Sequence, residues 1–174
     1  MPLVSQMKTL PRPSASTDQE RKPGYRGDLV LMLALYSDPK WFSVVRGAVE
    51  RLTETLRFPA ADCRSITRAV DEALTNIMRH SYGNRLDQPI AMYFRRTQRR
   101  NEGEVQHGLE ILLCDRGPEV DASKLCGRPL DEVRPGGLGL HFIRQAMDTV
   151  EFTRKGPTNR LRFVKYLGQT NTAP

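Results

Sequence analysis

The chain has 174 residues, 39% of them hydrophobic, which suits one domain with one sizeable core. Lys and Arg number 27 against 20 Asp and Glu, and the resulting charge of +7 favours anionic partners without choosing between nucleotides, nucleic acid and acidic proteins. Cys63, Cys114 and Cys126 form no C-x-x-C pair, no apolar stretch is long enough for a membrane span and the N-terminus lacks the order of a secretory signal. The expectation is therefore a cytoplasmic protein with reduced thiols, no disulfide framework and no structural zinc.

Residues 1 to 26 mix Pro, Ser, Thr and charges without hydrophobic periodicity, which predicts a disordered tail or docking arm ahead of a single domain at 27–170. "LVLMLALY" at 29–36 is a short apolar run bounded by turn residues, a buried strand. "SDPKWFSVVRGAVERLTETLRF" opens with Ser37 or Asp38 as N-cap and Pro39 in the first turn. Its Phe42, Val45, Val49, Leu52 and Leu56 keep helical spacing. A second helix, with Asp62 as a capping residue, carries Ile66, Ala69, Val70, Ala73, Leu74, Ile77 and Met78 on one face and stops at Gly83. The period then changes. "IAMYF" alternates, "LEILLC" at 109–114 reads as a buried strand, "GGLGLHFIRQAMD" as a glycine-rich start to a third helix, and "TVEFTRKGPTNRLRFVKYL" as two strands about a Gly-Pro turn. This order predicts an α+β two-layer sandwich, a mixed and mostly antiparallel sheet with helices on one face. The densest basic cluster, "FRRTQRR" at 94–100, has one aromatic beside it, a weak signal for nucleic acid.

Three stretches carry polar residues where chemistry could use them. In "DEALTNIMRHSYGN", Glu72, Asn76 and His80 follow one another at one-turn spacing beside the apolar stripe. A carboxylate there can accept a proton and an amide oxygen can ligate Mg²⁺, although E-x-x-x-N alone is as readily a solvated pair and His80 a helix C-terminal cap. In "LLCDRGPEVD", Asp115 leaves an apolar strand, where a carboxylate can accept from an exocyclic amino group; Asp-x-Gly is also a common turn. In "RPGGLGLHFIRQ", Gly136, Gly137 and Gly139 precede or open a helix, a geometry that lets backbone NH groups approach phosphate. Phe142 stands where a dinucleotide-binding fingerprint has its third glycine, and no Walker A signature occurs.

Taken in order, "VDEALTNIMRHSYG", "LLCDRGPEVD" and "GGLGLHFIRQAMDTVEF" resemble the GHKL ATP-binding superfamily, with its Bergerat-type fold, and within it the serine-protein kinase type of anti-sigma factor. The resemblance covers about residues 28 to 168. It implies ATP and Mg²⁺ as ligands, Glu72 as general base, Asn76 as the Mg²⁺ ligand and Asp115 as the adenine reader. It further implies Gly117 at the base, Gly137, Leu138, Gly139 and Leu140 at the phosphates, Arg79 and His80 as phosphate or lid contacts, and residues 121–136 as a lid. The implied partners are an anti-sigma-factor antagonist, phosphorylated on Ser or Thr, and a sigma factor, in a partner-switching control of transcription. Such modules commonly form homodimers, and the resemblance implies no direct contact with nucleic acid or membrane. One departure stands out: Glu119 occupies the place of a second glycine often found after Asp-x-Gly. It leaves a non-catalytic nucleotide-binding regulator as the alternative.

Overall fold

The computed structural model describes residues 28–101, 103–119 and 138–168. The N-terminal tail, the expected lid at 121–136, Cys126, Gly136 and Gly137 lie outside the described residues. The elements in chain order are β1 (Asp28–Tyr36), a 3₁₀ turn (Pro39–Trp41), α1 (Phe42–Thr55), α2 (Ala60–Asn76), a π-helical turn (Ile77–Ser81), β2 (Pro89–Asn101), β3 (Glu104–Asp115), α3 (Leu138–Ala146), β4 (Thr149–Lys155) and β5 (Thr158–Tyr166).

The strands form one sheet in the order β1-β2-β3-β5-β4. Each of the four described pairings is antiparallel, so the mixed sheet expected from the sequence is here wholly antiparallel. Alternation decides which face meets the helices. Ile90, Met92 and Phe94 of β2, Leu109, Ile111 and Leu113 of β3 and Phe163 of β5 join one buried cluster with Val45 and Val49 of α1, Ile66, Val70 and Leu74 of α2 and Ile143 of α3. Residues of opposite parity, Ala91, Tyr93, Leu112 and Cys114, form a smaller cluster on the other face.

The helix boundaries follow local chemistry. Asp38 accepts from the Lys40 backbone NH at 3.1 Å and caps the 3₁₀ turn that leads into α1, with Pro39 at its first position. The N-cap of α2 is Pro59 rather than Asp62: the Cys63 NH already reaches the Pro59 carbonyl at 2.9 Å. Asp62 instead lies in the first turn, where its charge complements the helix dipole. Gly83 follows the π turn with φ +57°, and Gly156 turns the β4–β5 hairpin with φ +56°.

The basic cluster is dispersed by the strand that carries it. "FRRTQRR" lies within β2, so its side chains alternate between the two faces. Arg95 pairs with Glu110 at 3.3 Å, while Arg99 lies over the Tyr166 ring at 4.0 Å and donates to Gln106 at 2.8 Å. Cys63 and Cys114 are free and buried. No helix among the described residues is long and apolar enough to cross a membrane.

Candidate nucleotide site

The site is organised around α2 and its continuation. Glu72 and Asn76 are one turn apart and half-buried, at the edge of a face whose Ala69, Val70, Ala73 and Leu74 are in the core. Beyond Asn76 the winding widens: the Tyr82 NH bonds the Ile77 carbonyl at 3.0 Å, a span of five residues instead of four. The wider turn leaves Arg79 and His80 exposed and buries Ser81. It is Ser81, not His80, that meets the Asp-x-Gly loop. A Cβ added at Gly117 would overlap the Ser81 Cβ and stand 2.8 Å from the Ser81 carbonyl and 2.9 Å from Asp115 Oδ1. His80 is exposed, and the C-cap of α2 is Ile77 rather than His80.

Further back along α2, a Cβ added at Gly139 would overlap the Glu72 carboxylate. Gly139, near the start of α3, is thus held where only hydrogen separates its backbone from Glu72. Leu140, on the next position, packs against the core, and Phe142 stacks over the Arg68 guanidinium of α2 at 4.4 Å. The backbone of Leu138 begins α3.

Asp115 is 5% exposed and ends β3. Its Oδ1 accepts from the Gly117 NH at 2.8 Å, an Asx turn, and from Asn159 Nδ2 at 3.0 Å. Asn159, fully buried on β5, also donates to the Pro118 carbonyl at 3.0 Å and the Gly117 carbonyl at 3.4 Å, and its Oδ1 accepts from Arg154 at 2.5 Å. Tyr82 ties the π turn to the same loop. Its hydroxyl donates to the Pro89 carbonyl at 2.6 Å and accepts from the Arg116 NH at 2.8 Å; burial pushes the phenol up to about 12. Glu119, after the loop, is exposed.

Sequence reasoning missed Ser81, Tyr82, Arg154 and Asn159. A signal existed for Asn159, which shares the inward parity of Leu161 and Phe163 on β5 and so puts an amide among core positions. No sequence signal marks the π turn.

Among the described residues no cluster of three or more His, Cys, Asp or Glu side chains could hold a metal by itself. Mg²⁺ needs no such cluster, since it commonly binds through one or two protein oxygens with phosphate and water completing its shell. No hydrogen bond from the described residues ties down the Asn76 amide or the Glu72 carboxylate. The half-buried Asn76 side chain lies on the same helix between Glu72, which Gly139 approaches, and Ser81, which Gly117 approaches, and its amide oxygen is of the donor type that fits Mg²⁺.

A family model for the histidine kinase-like ATPase domain matches residues 35–165. The chain is similar to the serine-protein kinase RsbW of Oceanobacillus iheyensis, 26% identical over 125 residues that span 67% of this chain and 74% of that one. It is similar also to the serine-protein kinase RsbW of Bacillus velezensis, 23% identical over 123 residues, 66% of this chain and 72% of that one. Among solved structures, the RsbU and RsbW domains of a Mycobacterium tuberculosis protein share the fold with a TM-score of 0.50 at 12% identity, covering 78% of this chain and 32% of that longer one. With the match spanning most of its length, the chain belongs to the histidine kinase-like ATPase domain family, the GHKL type that the order of its three motifs implied.

Proposed function

We propose that this protein is an ATP-dependent serine/threonine kinase of the partner-switching type, which phosphorylates an anti-sigma-factor antagonist and, in its other state, sequesters a sigma factor in the cytoplasm. ATP would lie between α2 and the sheet, its adenine at Asp115 and Gly117 and its phosphates near Leu138, Gly139 and Leu140 at the start of α3; the resemblance gives Gly137, outside the described residues, the same role. Arg79 and His80, exposed at the rim, would meet the phosphates or the incoming partner. Phosphoryl transfer depends mainly on positioning and electrostatic stabilisation. Glu72 would take the proton of the partner's Ser or Thr hydroxyl as its oxygen attacks the γ-phosphorus, the bond from that phosphorus to the β,γ-bridging oxygen breaks and ADP leaves; Asn76 would hold Mg²⁺, which would neutralise charge on the phosphate oxygens.

One observation carries the reading: Gly139 abuts Glu72 and Gly117 abuts Ser81, so a single helix and its π turn touch both other motifs. The RsbW relatives, named serine-protein kinases, support the choice of reaction. The test is transfer of label from γ-labelled ATP with Mg²⁺ to a candidate antagonist. Transfer that disappears with Glu72→Ala, while ATP binding persists, is the expected result. ATP binding without transfer to any antagonist favours the second reading, a nucleotide-sensing binder, for which the exposed Glu119 in place of a glycine is the specific motive.

A further inference from the structure

Asp115, Asn159 and Arg154 form one row across three strands. Asp115 on β3 is the register partner of Asn159 on β5, and Asn159 is the register partner of Arg154 on β4. All three share the parity of the helix-facing residues Leu113, Phe163 and Val150, so the row lies on the sheet face that α2 covers, at the end where β3 finishes. Arg154 can only donate and its Nη1 meets Asn159 Oδ1, so the amide is held with Nδ2 towards Asp115 Oδ1 and the Pro118 carbonyl. Within this network both donors to Asp115, Gly117 NH and Asn159 Nδ2, converge on Oδ1. Oδ2 is the oxygen that the network does not use. A carboxylate fixed in this way presents one oxygen, in one direction, as an acceptor.

We infer that Asn159, oriented by Arg154, is the positioning residue that makes Asp115 selective for a purine bearing an exocyclic amino group. The inference rests on the proposed nucleotide site. Asn159 does not touch the base; it acts by restricting the rotation of Asp115 and by stapling the 115–118 loop. Without it the carboxylate keeps its charge and its Asx turn but can turn about its side-chain bonds. An amino group would then lose its aligned acceptor while the phosphate contacts persisted.

The test compares dissociation constants for ATP and for purine riboside triphosphate, which lacks only the 6-amino group, by calorimetry with Mg²⁺ on the full chain. The wild type is expected to prefer ATP by about tenfold or more, the scale of a hydrogen bond to a charged group. Asn159→Ala should bring the two nucleotides within about threefold, mainly by weakening ATP. Arg154→Leu, at a half-exposed position, should lower the ratio in the same direction and provides the answer if Asn159→Ala does not fold. In an Asp115→Asn background, Asn159→Ala should change the ratio no further. A merely structural Asn159 would weaken both nucleotides equally, and an unchanged ratio in Asn159→Ala or Arg154→Leu overturns the inference alone. A wild type that binds ATP with no preference, or not at all, overturns the inference together with the site reading.

Discussion

Gly117 has no room for a side chain, and Gly117→Ala measures that constraint. Gly117 is not among the residues with positive φ, so the substitution introduces no backbone strain and its effect is steric. The new methyl would overlap the Ser81 Cβ and come within 2.8 Å of the Ser81 carbonyl and 2.9 Å of Asp115 Oδ1. Two of those atoms belong to a buried turn and the third is held by two hydrogen bonds, so none can swing aside. Overpacking of this kind costs about 2–3 kcal/mol. The lower entropy of alanine in the unfolded chain offsets about 0.4–1 kcal/mol. The net loss of roughly 1–2.5 kcal/mol corresponds to a melting temperature lower by about 2–10 °C for a domain of this size. Gly47→Ala is the control. Gly47 lies in the middle of α1 with nothing within 4 Å of an added Cβ, and helix propensity predicts a gain of about 1 kcal/mol, or about 2–4 °C. Differential scanning fluorimetry of both variants gives the answer. A Gly117→Ala protein that melts at or above the wild type, beside a stabilised Gly47→Ala protein, would refute the close approach of the π turn to the Asp-x-Gly loop.

Three further outcomes are expected. In Gly139→Ala the obstacle is the end of a flexible side chain, so Glu72 should be displaced: transfer falls at least about tenfold, a barrier change of about 1.4 kcal/mol, while the melting temperature moves little, as single-turnover assays and fluorimetry on the same sample would reveal. Tyr82 has a folded-state value of about 12, raised by burial above the ordinary phenol, so the unfolded chain loses its proton first as pH rises. Its contribution is complete below about pH 10 and falls away towards about pH 12, at up to about 1.4 kcal/mol per pH unit. Urea midpoints measured from pH 8 to 11.5 should therefore fall more steeply for the wild type than for Tyr82→Phe, and parallel curves would contradict the buried phenol. Glu110 bridges Arg95 at 3.3 Å and Arg162 at 2.8 Å on the face away from the helices. Glu110→Gln should cost about 1–2 kcal/mol in urea denaturation, with ATP binding unchanged because the pair lies on the opposite side of the sheet from Asp115.

Much of the fold was readable because hydrophobic periodicity and the architecture agree. The helix face from Ile66 to Ile77 and the inward positions Ile111, Leu113 and Phe163 are apolar where their elements require it. The motif residues were readable as types: Glu72, Asn76 and Asp115 are the polar positions flanking those faces. Less visible were features whose cause is tertiary. The basic run at 94–100 conceals a strand, because Arg95 and Arg99 can be accommodated there only once Glu110 and Tyr166 stand beside them. Asp62 has the chemistry of a cap but lost the position to Pro59, whose carbonyl receives the first helical bond. His80 fell into a helical column by counting in fours. The extra residue in the π turn is fixed by contacts with Tyr82 and the Asp115 loop, which no local propensity encodes.

That extra residue determines which side chain meets the Gly117 backbone. Ser81 offers only a small hydroxymethyl group there, while the bulky imidazole of His80 stays exposed. A side chain that small is what lets the π turn and the Asp-x-Gly loop lie so close together.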